Sequence, residues 1–276
     1  MKVRHPDYME AQDLNDLKQH QLDGVYDFIP NEKKEQLHHF LNCFTDFREQ
    51  RNERIKDITL YQNLPFSIHD NSWKSKRKDL KIIENILKNR KNLHILDYGG
   101  WNGWLSNYFA QKGHQVVTTD IFIDEYDGLK AMKYYKNKFI AIQLLPTDIW
   151  RIEATFDVII FNRNWAYLEN KEEILNHAKR LLKEDGIIIL TGLAVYTFPE
   201  KIILAFKKLQ EDFFKLYATP LLIYQSKGYL DTKDLKFLKK NAFKNYQYAP
   251  FKSIIKNIIS RKSFNTYYSI YKKQSI

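Results

Sequence analysis

Two carboxylates and three glycines are spaced as a ligand site is spaced. Asp97 follows the apolar run Leu93–Leu96, and Gly99, Gly100 and Gly103 come directly after it. A second acid, Asp120, stands 23 residues beyond Asp97. Glycines at such a turn let the backbone fold sharply and approach a ligand closely. The helix start that follows offers free N–H groups and a positive dipole end to an anionic group. An acid about 20 residues past a glycine-rich turn is placed to accept hydrogen bonds from ribose hydroxyls. Any one of these glycines alone is an ordinary turn. Strand, acid, glycine cluster, helix, strand and second acid in that order predict a nucleoside-containing ligand.

Further along, Asn162, Arg163, Trp165 and Tyr167, with Tyr196, are candidates for the mouth of the same site. None is a compelling general base, so the catalytic residue stays open among Asn162, Arg163 and Tyr167. His114 precedes a strand at the end away from the cleft and reads as structural, and His177 lies within a helix. His38 and His39 are adjacent, about 100° apart on a helix, and do not converge on a metal. The single cysteine, Cys43, excludes an intrachain disulfide and a cysteine-rich metal site. No metal is expected.

The elements that must hold these residues alternate. Apolar runs at Leu93–Leu96, Gln115–Thr119, Phe139–Leu144, Phe156–Phe161 and Gly186–Leu190 predict strands. Trp104–Lys112, Gly128–Lys136, Glu172–Leu182 and Pro199–Leu216 predict helices between and after them. Strands apolar on both faces, separated by helices, imply a parallel sheet covered on both sides. Right-handed crossovers then make it a doubly wound α/β sheet. Asn245–Tyr248 and Asn265–Tyr271 would fit an antiparallel hairpin at its edge. Residues 1–90 read as a mostly helical N-terminal extension, with helical spacing in Asp13–Leu22 and Glu32–Ile55. Ser72 is the expected N-cap of a helix from Trp73 to Asn89. The division predicted is 1–90 for the extension and 91–276 for the sheet domain.

The turn reads D-Y-G-G-W-N-G-W, not the G-x-G-x-x-G of a dinucleotide site. It resembles the first motif of the class I, Rossmann-like S-adenosylmethionine-dependent methyltransferases. Leu96, Asp97, Gly99 and Gly103 match, and the likeness continues through TTDIF, FDVIIFN and LLKEDGIIILTG, over roughly residues 80–275. The resemblance implies S-adenosylmethionine as cofactor and S-adenosylhomocysteine as product. It implies that Asp97, Tyr98 and the glycines border the methionine part. Asp120 would take the ribose, with Ile121 or Phe122 beside the adenine. Asp148 is the candidate for the adenine amino group. Asn162 and Arg163 would line the cleft near the methyl. In the upstream helix, Trp73 could stack on the cofactor and Arg77 pair with its carboxylate. The main departure is Trp101, which replaces the motif's central glycine. It either obstructs the cofactor or walls the pocket while its backbone does the glycine's work, and the surviving flanking glycines favour the wall. The N-P-P-aromatic segment that marks methylation of exocyclic amines is missing from FNRNW.

Composition bounds the partners. The net charge is +11, and residues 221–276 hold twelve Lys/Arg against two acids. A basic end favours an anionic partner or serves as a solubilising surface. The N-terminus lacks an apolar signal core, and no apolar run reaches the roughly 20 residues of a membrane span. A soluble, cytoplasmic protein is expected. The leading expectation is methyl transfer to oxygen or nitrogen of a small molecule, possibly anionic, with the extension shaping the acceptor pocket. RNA methylation through the basic, aromatic tail is the alternative. A non-catalytic nucleoside-binding protein on the same fold is another. Acceptor and oligomeric state stay open.

Overall fold

The computed structural model describes residues 21–248 and 264–274. Its frame is a ten-stranded sheet. The strands are β1 (Gln21–Leu22), β2 (Val25–Asp27), β3 (His94–Tyr98), β4 (Gln115–Asp120), β5 (Ile140–Gln143) and β6 (Phe156–Asn162). They continue with β7 (Leu182–Tyr196), β8 (Leu230–Asp231), β9 (Lys244–Gln247) and β10 (Phe264–Lys272). The helices are α1 (Asn31–Gln50), α2 (Asn71–Leu87), α3 (Trp104–Gln111), α4 (Lys171–Arg180), α5 (Glu200–Tyr217) and α6 (Thr232–Lys240).

The strand order is β1-β2-β5-β4-β3-β6-β7-β10-β9, with β8 pairing alongside β7. The run from β2 to β7 is parallel throughout. β10 is antiparallel to both β7 and β9, so the expected edge hairpin is present. Strand order reverses at β3, between β4 and β6, which opens a crevice at the carboxyl ends of these strands.

The unbroken apolar runs are explained by two cores. Leu96, Ile159, Phe161, Ile188 and Leu190 face one side, against Ile174, Leu175 and Ala178 of α4. Their neighbours Ile95, Val158, Ile160, Ile187 and Ile189 face the other, against Leu80 and Ile83 of α2 and Leu105 and Phe109 of α3. Successive strand side chains point to opposite faces, so both must be apolar. A third cluster joins Phe40 and Phe47 of α1 to Phe213 of α5, Ile121 and Leu221. This cluster stands over the crevice.

Several expected boundaries differ. Residues 21–27 are not helical. They form the β1–β2 pair, and β2 runs parallel to β5, where Val25 to Asp27 register with Ala141 to Gln143. The extension therefore completes the sheet edge before it crosses to α1. The rest of the helix expected over Asp13–Leu22 lies outside the described residues. The cap of α2 is Asp70, whose Oδ1 accepts from Trp73 N at 2.7 Å, and Ser72 sits inside the first turn. Leu129–Tyr134 is a single 3-10 segment in place of the expected helix. β7 begins at Leu182, earlier than expected, because a register shift against β6 accommodates the bulge at Asp185 and Gly186. Among the described residues, no helix is long and apolar enough to cross a membrane.

Candidate active site

The glycine turn is shaped by what surrounds it. After β3 the backbone N–H groups of Gly99 and Gly100 donate to Thr119 O at 2.7 and 3.0 Å, which folds the turn back on β4. Gly99 has φ +69, and a Cβ there would stand 2.2 Å from the Asn164 amide. A Cβ on Gly100 would stand 2.1 Å from Thr118 Oγ1 and 2.9 Å from Asp97 Oδ2. Both positions are therefore closed to any side chain. Trp101 takes φ +53, a conformation that costs an L-residue about 1 kcal/mol or more. Its backbone N–H donates to Asp120 Oδ2 at 2.7 Å. Its indole turns aside and stacks on Trp73, with centroids 6.2 Å apart and planes at 29°. The wall reading of Trp101 matches this geometry: its main chain makes the turn and its ring forms a side of the cavity.

The two acids are buried and electrostatically loaded. Asp97 accepts from Ser106 Oγ at 2.8 Å. Burial pushes its carboxyl up to about 7, the Ser106 hydrogen bond opposes this, and the Asp120 charge reinforces it. Asp120 also accepts from Phe122 N at 3.1 Å. Burial pushes Asp120 up to about 6 against the backbone donors of Phe122 and Trp101. Such carboxylates are short of hydrogen-bond donors, which is what ribose hydroxyls and an ammonium supply.

Both acids line a cavity of about 1130 Å³. That exceeds the usual range of small-ligand pockets, roughly 300–1,000 Å³, and leaves room for a cofactor and an acceptor together. Phe40 and Phe44 of α1, Phe206 and Leu209 of α5, and Leu221 and Ile223 roof it. The roof is held by ion pairs to the segment after β4. Arg48 Nε lies 2.8 Å from Asp127, and Arg54 reaches both oxygens of Asp124 at 2.6 and 2.7 Å. Lys76 projects from α2 onto the tryptophan wall, 4.3 Å from the Trp73 ring centre and 5.2 Å from that of Trp101. Burial, then the nearby Arg163 charge, lowers the Lys76 ammonium to about 8. Tyr224 also lines the cavity, and its buried hydroxyl has no hydrogen-bond partner among the described residues.

The segment after β6 is tied to α2 through a buried acid. Asp79, 0% exposed, accepts from Arg163 Nε, from Tyr248 OH at 2.7 Å and from Asn162 Nδ2 at 3.3 Å. Asn162 Nδ2 also donates to Thr191 Oγ1 at 2.8 Å. Arg163 sits at φ +62, held by its N–H on Thr191 O at 3.0 Å. Asn164 donates to Tyr98 O, linking this segment to the glycine turn.

Of the residues expected from sequence, Asp97, Tyr98, Gly99, Gly100, Trp101, Asp120, Ile121, Trp73, Asn162, Arg163 and Tyr167 all line the cavity. Tyr98 sends its ring into the core against Phe161 and its hydroxyl to Pro146 O. Gly103 lies just outside the lining as the N-cap of α3. Four of the expected residues lie elsewhere. Arg77 donates to the carbonyls of Pro65 and Ile68 at 2.8 and 2.6 Å, away from the cavity. One helical step earlier, Lys76 lines the cavity instead. Asp148 is turned toward Arg151, 3.7 Å away, and is not among the residues that line the cavity, although Pro146 of the same 3-10 segment is. Trp165 is core and Tyr196 packs on Phe264, so neither reaches the mouth. His114 accepts from Leu93 N at 3.1 Å, a structural role as expected. His39 pairs with Thr219 across the α1–α5 contact. Among the described residues no group of three or more His, Cys, Asp or Glu could hold a metal.

Sequence reading missed Lys76, Asp79, Arg48, Tyr224 and Tyr248. Asp79 alone carried a signal, an acid beside the apolar Leu80 and Ile83 on the buried face of a helix. Lys76 differs from Arg77 only by the rotation of α2, and Arg48, Tyr224 and Tyr248 reach the site from distant segments.

A doubly wound sheet with this order, a glycine turn after its first central strand and an acid after the second define the class I S-adenosylmethionine-dependent methyltransferase superfamily. The chain belongs to the methyltransferase-domain family, whose model matches residues 71–265. It is 28% identical over 112 residues to malonyl-[acyl-carrier protein] O-methyltransferase of Paenibacillus sp. (strain JDR-2), covering 38% of this chain and 41% of the relative. The chain thus spans less than half the length of that relative. Among solved structures it is similar to a putative sarcosine dimethylglycine methyltransferase from Galdieria sulphuraria, with TM-score 0.53 and 10% identity over 84% of this chain and 98% of the other. Magnesium protoporphyrin IX methyltransferase from Synechocystis, solved with bound SAH, gives TM-score 0.51 and 15% identity over 87% of this chain and 100% of the other. Phosphoethanolamine N-methyltransferase 2 of Haemonchus contortus, in complex with S-adenosyl-L-methionine, gives 0.51 and 14% over 84% of this chain and 60% of the other. At these identities the likeness is one of fold.

Proposed function

We propose that this protein transfers the methyl group of S-adenosylmethionine to oxygen or nitrogen of a small molecule. The observation that carries the reading is the Trp101–Asp120 hydrogen bond at the rim of a roofed cavity. It leaves a carboxylate with spare acceptor capacity beside a turn where a Cβ at Gly99 or Gly100 would clash. The residues present suit the cofactor. Asp120 would take the ribose hydroxyls, and Ile121 and Phe122 would flank the base. Tyr224 would offer its unpartnered hydroxyl on the nucleoside side, since its hydroxyl feels the Asp120 charge. Asp97 and the turn would border the methionine ammonium, and Lys76 its carboxylate.

The cofactor supplies an electrophilic methyl on a sulfonium, so the hard chemistry is not the protein's. The protein's part is alignment and exclusion of water. Asn162 and Arg163 are fixed by Asp79 on the acceptor side of the cleft. The α1 roof closes over the cavity, and its ion pairs to Asp124 and Asp127 hold it there. A closed roof suits a small acceptor better than an RNA strand. The tail's aromatic residues support the same preference, because Tyr246 stacks on Tyr268 within the β9–β10 pair. Lys252, Lys256, Arg261 and Lys262 lie outside the described residues.

Isothermal titration with S-adenosylmethionine and S-adenosylhomocysteine tests the reading. Micromolar binding of both is expected, and no binding of either at millimolar concentration overturns it.

A further inference from the structure

The cations on the cavity wall are not equivalent. Arg48 and Arg54 are committed to Asp127 and Asp124. Lys76 lies on the tryptophan wall by the glycine turn, where it would meet the cofactor's own carboxylate. Arg163 is different. Its Nε engages Asp79, its side chain is 34% exposed, and its two terminal nitrogens make no hydrogen bond to the described residues. It is also held in place. Its stem lies against Gly192, where a Cβ would come 2.4 Å from Arg163 Cγ, and its backbone keeps a left-handed conformation at φ +62. A non-glycine residue fixed this way is a constraint of the kind found at ligand clamps. The free edge of a guanidinium is a planar fork that matches a carboxylate.

Two further observations narrow the ligand. The cavity that Arg163 lines has an apolar roof, built from Phe40, Phe44, Phe206, Leu209, Leu221 and Ile223. Of Asn162, Arg163 and Tyr167, which line the cavity after β6, none is suited to removing a proton. The Asn162 amide is engaged by Asp79 and Thr191, and burial raises the Tyr167 hydroxyl above its ordinary value. An alcohol, phenol or protonated amine must lose a proton to accept a methyl group, whereas a carboxylate carries none to lose.

We propose that the acceptor is a carboxylate on an apolar body, held by Arg163, and that the product is its methyl ester. This deepens the methyl-transfer reading and rests on it. A lone pair of the acceptor's carboxylate oxygen forms the new bond to the methyl carbon. The carbon–sulfur bond breaks, its electron pair stays on sulfur, and the positive sulfonium and negative carboxylate become neutral thioether and ester. No proton is released.

Calorimetry on the full chain tests this in two stages, first with S-adenosylhomocysteine and then, on the loaded protein, with octanoate, 1-octanol and octylamine. Octanoate is expected to bind at least about tenfold more tightly than the other two. Arg163→Gln should abolish that preference while S-adenosylhomocysteine affinity stays within about threefold. Lys76→Gln should do the reverse. The preference is a ratio within one folded sample, so lost stability does not imitate it. With methyl-labelled S-adenosylmethionine and the three probes together, label released as methanol on base treatment supports the ester. Label in a base-stable product overturns it. Equal binding of octanol or octylamine, or an unchanged preference in Arg163→Gln, also overturns the acceptor assignment. Failure of the unaltered chain to bind S-adenosylhomocysteine overturns the methyl-transfer reading beneath it.

Discussion

The backbone N–H of Trp101 lies 2.7 Å from Asp120 Oδ2, so the residue in the place of the motif's central glycine also fixes the acid at the end of β4. The contact is made by the main chain. The indole is turned away onto Trp73, with Arg48 5.4 Å from its ring centre.

Trp101→Gly should therefore leave S-adenosylhomocysteine affinity within about threefold. Relief of the left-handed strain, about 1 kcal/mol, offsets part of the lost stacking. Gly100→Ala should reduce affinity by far more than tenfold, because its Cβ has no space beside Thr118 Oγ1. Titration calorimetry of both variants checks the contrast. Equal losses would mean that the indole, not the turn, carries binding.

Binding should follow the Asp120 titration. Ribose hydroxyls donate to the carboxylate and not to the acid, so S-adenosylhomocysteine affinity should fall as pH drops through about 6. Asp120→Asn should be weak at every pH and lack this dependence. Affinities measured from pH 5 to 8 decide it.

The unliganded fold should become less stable as pH rises from 5 to 8. Burial raises the carboxyls of Asp97 and Asp120 to about 7 and about 6, so the folded state holds protons that the unfolded chain has lost. Stability is then full below the unfolded carboxylate range and declines as pH rises through the folded values, by roughly 1 kcal/mol per unit. Thermal melts across this range should show the slope, and Asp97→Asn should flatten it.

Tyr224→Phe should leave the melting temperature unchanged or raised, since the hydroxyl removed is buried and unpartnered within the described protein. S-adenosylhomocysteine affinity should fall about fivefold, the equivalent of one hydrogen bond of about 1 kcal/mol. Unchanged affinity would remove Tyr224 from the nucleoside side.

Arg54→Ala should destabilise the protein by about 3 kcal/mol, because it leaves the part-buried Asp124 without its guanidinium, while Asp127 keeps Arg48. It should also loosen the α1 roof, raising KM for the acceptor more than for the cofactor. Denaturant melts and steady-state kinetics separate the two effects.

The central sheet was legible because its information is local. Strands apolar on both faces, such as Phe156–Asn162, can only be buried between helices, and the helices between them set a parallel order. Asp97, the glycines and Asp120 were legible for the same reason: strand ends and the turns after them are fixed by neighbours in the chain. Arg77 and Lys76 show where this stops. Both lie on α2, adjacent in sequence, and only the rotation of that helix against the sheet decides which one faces the cavity. The β1–β2 pair was also out of reach, since two very short strands exist only because β5 offers an open edge.

The sequence by itself determined the sheet, the turn and the acids that flank it, through patterns read over a few residues at a time. The tertiary structure decided what completes the site. Asp79 and Arg163 are 84 positions apart, Arg54 and Asp124 are 70 apart, and Tyr224 reaches back toward Asp120 from beyond α5. No periodicity records such pairs. They are set by how α1 and α2 close on the crevice, where burial turns ordinary charges into a clamp, a roof latch and two carboxyls short of donors.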